Sequence, residues 1–159
     1  MTTVRPATIA DIDELVRLRE QFSAEFSGVA VSPPGAPKWQ DSLREVLAER
    51  IGGPWLHVIV IDGTDGLVAC AAGTVDQRLP GPRLPDGRVG YVASVYTEPE
   101  YRRRGYSTAM MQALLAWFTD TGVARVDLHA ADAAEAIYRR LGFTDHLGAS
   151  MNWRAQPLA

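Results

Sequence analysis

The chain carries a single cysteine, Cys70, and therefore has no intrachain disulfide framework and no multi-cysteine metal site. It has no excess of positive charge either. Sixteen Lys and Arg against 19 Asp and Glu leave a net charge of −3, which sets aside a general appetite for nucleic acid or anionic membrane, so any anion site must be local. No apolar run approaches the ~18 residues that a membrane span needs. The opening MTTVRPATIADIDEL turns acidic where a signal peptide would be apolar. Repeats and low-complexity tracts are missing. These absences predict a cytoplasmic protein with no membrane partner, in which Cys70, set in the apolar run LVACAAG, is packing and not a nucleophile. What is present, 159 residues of which 47% are hydrophobic, suits one globular domain over 1–159 with a core of its own.

Along the chain, helix-like and strand-like segments alternate. A short strand around Thr3 to Arg5 is followed by a helix that Asp11 and Glu14 cap, with Ile12, Leu15, Arg19 and Phe22 on one face. Ser42 and Glu45 repeat the capping signal before a second helix, which Gly52-Gly53-Pro54 stops. LHVIVI (56–61) and the segment 67–75 read as a hairpin around DGTDG, and 88–97 as a further strand. A third helix covers about 105–121, with Met110, Met111, Trp117 and Phe118 as core. Val126 to His129 is a short strand, 132–141 a helix ended by Gly142, and 143–154 one or two closing strands. The order β-α-α-β-β-β-α-β-α-β is that of an α+β protein. The Pro/Gly-rich stretches VSPPGAPKW (31–39) and RLPGPRLPDGR (78–88) are loops within the domain.

One run is odd as plain structure. In EPEYRRRGYSTAMM, three arginines precede a glycine and the start of a helix, whose N-terminus already carries partial positive charge. A solvated turn paired with nearby carboxylates is one reading. The strand, proline, glycine and helix order favours another: a cradle of free backbone N–H groups for a phosphate. It is not a Walker loop, because no Lys-Ser/Thr follows the glycine, and not a dinucleotide fingerprint, because the other glycines are missing.

The run V-Y-T-E-P-E-Y-R-R-R-G-Y-S resembles the hallmark of the GNAT superfamily of acyl-CoA-dependent N-acetyltransferases, with Arg102, Gly105 and Ser107 in the three signature places. Ser107 stands where Gly or Ala is usual. A second stretch, LHAADAAEAIYRRLGF, is similar to the last strand and helix of that family, with Tyr138 at the place of the tyrosine near the cofactor sulfur. The resemblance implies a mixed, mostly antiparallel twisted sheet of six to seven strands with about four helices, its central strands splayed into an acyl-CoA cleft. It also implies acetyl-CoA as donor, held by Val95, Tyr96, Thr97, Arg102, Arg103, Arg104, Gly105, Tyr106, Ser107 and Thr108, with no metal.

The same resemblance implies direct attack of an amine on the thioester, with the N–H of Val95 on the acyl oxygen and Tyr138 protonating the departing thiolate. Tyr138 on an amphipathic helix also reads as a core residue. For the base that takes the proton of an incoming ammonium, Asp127 and His129 are both candidates, since alternation puts them on one face of their strand, and Glu98 is a third. Both Asp127 and His129 also read as an edge-exposed polar face. The acceptor is expected to be a small-molecule amine bounded by the first two helices and the 31–39 and 78–88 loops, with Trp39 as an apolar anchor. A peptide acceptor and a CoA-binding module without turnover are the alternatives, and the state is monomer or homodimer. Against the peptide acceptor, relatives that grip peptide N-termini usually carry an Asn where this chain has Ala131.

Overall fold

A computed structural model describes residues 3–28 and 32–155. The chain divides into two units, Met1–His129 and Ala130–Ala159. The first contains one five-stranded sheet in the order β1-β2-β3-β4-β5. Its elements are β1 (Arg5–Pro6), α1 (Ile12–Phe26), α2 (Trp39–Arg50), β2 (Leu56–Asp62), β3 (Leu67–Gln77), β4 (Arg88–Thr97), α3 (Tyr106–Asp120) and β5 (Val126–Asp127). Neighbours β1 to β4 pair antiparallel and β4 pairs parallel with β5, so the sheet is mixed and mostly antiparallel.

Five strands are fewer than the six to seven expected, and the difference lies at the end of the chain. Residues 143–155 form no strand, although Leu147, Met151 and Trp153 alternate with polar residues as a strand would. Their side chains are 96, 89 and 87% exposed. A strand exists only against a neighbour, and the second unit offers none among its described residues: it holds a single short helix, α4 (Glu135–Arg140), entered through a 3-10 turn at 132–134.

Two cores clothe the sheet. On one face Leu15 and Leu18 of α1 and Leu47 of α2 meet Leu56, Val58 and Val60 of β2, with Cys70 and Tyr96. Burial pushes the Cys70 thiol up to about 12, which makes it inert packing as expected. On the other face lie the fully buried Met110, Met111, Leu114 and Phe118 of α3. Phe118 fits because Gly73 and Gly90, on adjacent strands, leave its ring room. A methyl group at either would lie 2.7 or 2.6 Å from a ring carbon.

Helix starts differ from the capping expectation for a physical reason. Asp11 does not cap α1 with its side chain; Arg5 takes its carboxylate in two hydrogen bonds of 2.9 Å and also binds Asp62, tying β1, α1 and β2 together. That guanidinium holds the Asp11 carboxyl down at about 2. The second helix begins at Trp39, three residues before Ser42, because the chain turns helical directly after Pro37-Lys38. The Trp39 amide donates to Ser32 Oγ at 3.0 Å, so Trp39 belongs to the helix and not to the loop. Val31 of that loop lies outside the described residues.

Gly90→Ala is expected to lower stability by about 1–3 kcal/mol through overpacking against Phe118, and by clearly less in a Phe118→Leu background. Urea midpoints of the four proteins in that cycle measure it; equal losses in both backgrounds would show that the ring does not set the requirement for glycine.

Candidate active site

The site begins as an interruption of strand pairing. β3 follows β4 from Gln77↔Arg88 to Ala69↔Thr97, whereas β5 pairs with β4 only at Gly90↔Val126 and Tyr91↔Asp127. Beyond Tyr91, the edge of β4 that faced β5 has no strand neighbour among the described residues. Which backbone groups look into that gap follows from alternation. The Gly90 amide donates to Arg125 on the β5 side, and the Glu98 amide to Val68 on the β3 side. Counting back from Glu98, Thr97 and Val95 face the open edge. Counting forward from Gly90 would give 92, 94 and 96 instead. The two counts are reconciled by a β-bulge: Ala72 pairs with Ser94 and Gly73 with Val92, so Ala93 is the extra residue. The same shift turns Tyr96 into the α1 core, edge-on to Phe22 at 6.2 Å.

The open edge leads into the arginine turn. Pro99–Tyr101 form a 3-10 turn, Arg103 is left-handed at φ 63°, Gly105 is left-handed at φ 79°, and α3 starts at Tyr106. The first helical bond runs from the Ala109 amide to the Gly105 carbonyl at 3.0 Å, so the N–H groups of Tyr106, Ser107 and Thr108 have no intrahelical acceptor. A Cβ at Gly105 would meet nothing within 4 Å. Backbone conformation, not crowding by the chain, requires the glycine, and the space beside it is open. Arg103 has a Cβ and takes the same region at a cost of about 1–2 kcal/mol, the kind of strain that collects at binding loops. Beneath the turn, the Thr97 Oγ1 is buried and without a partner among the described residues.

The three arginines have separate surroundings. Arg102 turns back into the fold: its Nε donates to the Thr97 carbonyl at 2.9 Å, its Nη2 to Glu25 at 2.6 Å, and its guanidinium lies over the Tyr96 ring. Glu25 raises the pKa of Arg102, and Arg102 in turn lowers that of Glu25. Arg104 lies over Tyr101 and donates to the Glu100 carbonyl. Arg103 alone keeps an exposed side chain with no such bond among the described residues.

The candidate bases are separated by their partners. Glu98 is held by Arg17 at 2.5 Å and is 19% exposed. Asp127 is 14% exposed and accepts from Arg125 on both oxygens, at 3.0 and 3.1 Å, with Arg78 4.0 Å away. β5 ends at Asp127, so strand alternation does not extend to His129. His129 Nδ1 instead lies 2.9 Å from the hydroxyl of Tyr91 on β4. Tyr91 is the residue that the sequence reading missed. Its signal was faint, a polar-tipped aromatic in the otherwise apolar VGYVASV, and only the β4–β5 register brings it to a histidine 38 positions away.

Tyr138 lies on α4 in the second unit. Left-handed Gly142 turns the chain so that the Phe143 amide bonds the Tyr138 carbonyl at 3.0 Å, and the two rings meet edge-on at 5.9 Å. Burial pushes the Tyr138 phenol above its ordinary pKa, which keeps it protonated at neutral pH.

The sequence pattern of the acetyltransferase (GNAT) family matches residues 15–143, and the chain is a member of that family. Among solved structures it is similar to a protein from Clostridium acetobutylicum described as a predicted acetyltransferase and determined with acetyl-CoA, at 24% identity, with 96% of each chain covered and a TM-score of 0.81. A GCN5-related N-acetyltransferase from Ralstonia eutropha shares 25% identity over 96% of this chain and 99% of that one, with a TM-score of 0.75. Glucosamine-6-phosphate N-acetyltransferase from Arabidopsis thaliana shares the fold at 14% identity, covering 96% and 98%, with a TM-score of 0.71. None of the curated proteins matches.

The division among the arginines has a measurable consequence. Arg102→Ala should lower stability by about 1 kcal/mol, since it releases Glu25 and the Thr97 carbonyl together, while Arg103→Ala should stay within about 0.5 kcal/mol. Chemical denaturation at low salt reads both; equal losses would remove the structural role of Arg102.

Proposed function

We propose that the protein is a cytoplasmic N-acetyltransferase that moves the acetyl group of acetyl-CoA to a primary amine of a small molecule, by direct attack in a ternary complex, with 1–159 acting as one domain. The observation that carries this reading is the unpaired β4 edge of Val95 and Thr97 running into the left-handed turn and the free amides of α3. Backbone groups spaced along an open strand edge suit the amide-bearing pantetheine arm, and a helix N-terminus suits its pyrophosphate. The Val95 N–H donates to the acyl oxygen where negative charge develops. The Arg103 side chain and the amides of Gly105 to Thr108 receive the phosphates, with Arg104 beside them. Arg102 and Tyr96 act indirectly, by fixing the end of β4 from the α1 side.

As the amine nitrogen bonds to the carbonyl carbon, the C–S bond breaks, and the sulfur leaves as a thiolate whose conjugate acid has a pKa of about 8.5. Tyr138, a phenol that is protonated at neutral pH, gives that proton. An amine that arrives as an ammonium must first lose a proton to a base near Asp127 and His129. No metal has a part in these steps. Two observations favour a small acceptor over a peptide. Ala131 stands where peptide-gripping relatives usually carry Asn, and the fold is shared with an enzyme named for an amino sugar phosphate.

Release of CoA from acetyl-CoA, followed with a panel of small primary amines and a matched panel of N-terminal and lysine peptides, tests the acceptor class. Turnover is expected on a small amine. Faster turnover on peptides than on every small amine would move the acceptor to the protein class, and silence on both would make the fold a CoA-binding module.

Tyr138→Phe should keep the fold and the affinity for CoA while lowering kcat by roughly 10². Calorimetry with CoA and steady-state rates with the best amine separate the two effects. An unchanged kcat would return Tyr138 to packing.

A further inference from the structure

The Tyr91–His129 hydrogen bond lies where the sheet forks. The last pair that β4 makes with β5 is Tyr91↔Asp127, and His129 follows two residues later, so the 2.9 Å bond between the Tyr91 hydroxyl and His129 Nδ1 crosses between the two segments just as they part. It sits at the closed end of the same unpaired edge that presents Val95 and Thr97. We infer that His129 is the base that deprotonates the acceptor ammonium and that Tyr91 is its positioning residue, an inference that rests on the acetyl-transfer reading above.

The alternatives are already committed to cations. Both oxygens of Asp127 accept from Arg125, with Arg78 close by, and Glu98 is held by Arg17. Oxygens of both are thus already engaged as acceptors of guanidinium N–H groups, which leaves them fewer lone pairs for a substrate proton. His129 has a neutral partner. The charged groups flanking it, namely Asp127 on β5, Arg125 just before it and Arg78 on the loop before β4, are paired with one another. Imidazole is also the side chain whose charge changes in the neutral range.

The proposed role requires one tautomer. An imidazolium donates from both nitrogens, so in the proton-loaded state Nδ1–H must donate to the Tyr91 oxygen. Only one neutral arrangement passes to that state without rearranging: Nδ1–H donating to the phenol oxygen, with the lone pair on Nε2. In it Nε2 takes the proton from R–NH3⁺, directly or through one water, to give R–NH2 and an imidazolium, and the proton later leaves to solvent. Tyr91 loses and gains nothing; it holds the ring orientation and stabilises the charged form.

The test has an arm that does not need turnover. In 15N-histidine-labelled protein the three imidazoles, His57, His129 and His146, give separable ring-nitrogen signals, and His129→Gln assigns the one of interest. The neutral His129 is expected to carry its proton on Nδ1, and Tyr91→Phe to shift it toward Nε2 and lower the titration midpoint. A ring protonated on Nε2 in the unmutated protein, or a signal unmoved by Tyr91→Phe, would overturn the positioning role. In the kinetic arm, with acetyl-CoA and the fastest amine of the small-amine panel, His129→Gln should lower kcat/KM about 10²-fold at neutral pH. The defect should shrink as pH rises and the amine sheds its own proton. Tyr91→Phe should lose about tenfold with the acid limb displaced. A loss of equal size at every pH would mean a structural role only. An acid limb that survives in His129→Gln and disappears in Asp127→Asn would transfer the role to Asp127. Absence of CoA release by the unmutated protein on any amine would instead overturn the acetyl-transfer reading itself, and this inference with it.

Discussion

Most of the candidate site depends on one inserted residue. The bulge at Ala93 changes the parity of β4, so the strand can bond β5 through Gly90, bond β3 through Glu98, and present Val95 and Thr97 outward between them. Without that shift the residues facing the gap would be 92, 94 and 96, and Tyr96 would leave the α1 core for the opposite side of the sheet. The site is thus not a pocket carved into a finished fold. It is the unsatisfied remainder of a β-sheet, kept open because β5 stops after two paired residues. Exposed backbone donors and acceptors at a strand edge call for another extended polymer, and a pantetheine arm with two amides is chemically close to one.

Three guanidinium groups tie the strands to the helix that covers one face of the sheet. Arg5 joins β1, α1 and the end of β2; Arg17 joins Glu14, the start of β3 and Glu98; Arg102 joins Glu25, the Thr97 carbonyl and the Tyr96 ring. Each guanidinium bridges elements far apart in sequence, and two of them, Arg17 and Arg102, grip the last turn of β4 from the α1 side. Their planar forks make several bonds at once in fixed directions, which a lysine in the same place would not. A run of three arginines at a helix start is therefore not one electropositive patch. Arg102 is bonded back into the fold, Arg104 is laid along Tyr101, and Arg103 keeps an exposed side chain with no such bond among the described residues.

The sequence carried the order of elements because local chemistry decides it. LHVIVI is β-branched and alternates too little to be anything but a buried strand, and Gly105 and Gly142 mark positions where only a left-handed residue lets the chain turn. The strand–arginine–glycine–helix run and the Tyr138 segment were legible for the same reason: each is contiguous, and each places its residues through local backbone geometry. The start of α2 misled because a capping pattern at Ser42 is only a local preference, and Pro37 with the Ser32 hydroxyl satisfied the helix earlier. The strands expected in 143–154 misled in the opposite sense, since alternation describes a willingness to pair and not the presence of a neighbour.

Tertiary structure decided what depends on register. Alternation in the sequence put Asp127 and His129 on one face, but β5 ends between them, and each took a partner from elsewhere: Arg125 beside it for the first, Tyr91 across the fork for the second. No periodicity in VGYVASV foretells a bulge at Ala93, because a bulge is a mismatch between two strands and appears in neither alone. The sequence by itself thus determined most of the elements, their order and the left-handed turn that opens α3. Where Arg102 turns, which cation holds Glu98 and which tyrosine meets His129 were set by tertiary contacts, where residues tens of positions apart come within hydrogen-bonding distance only once the elements are packed.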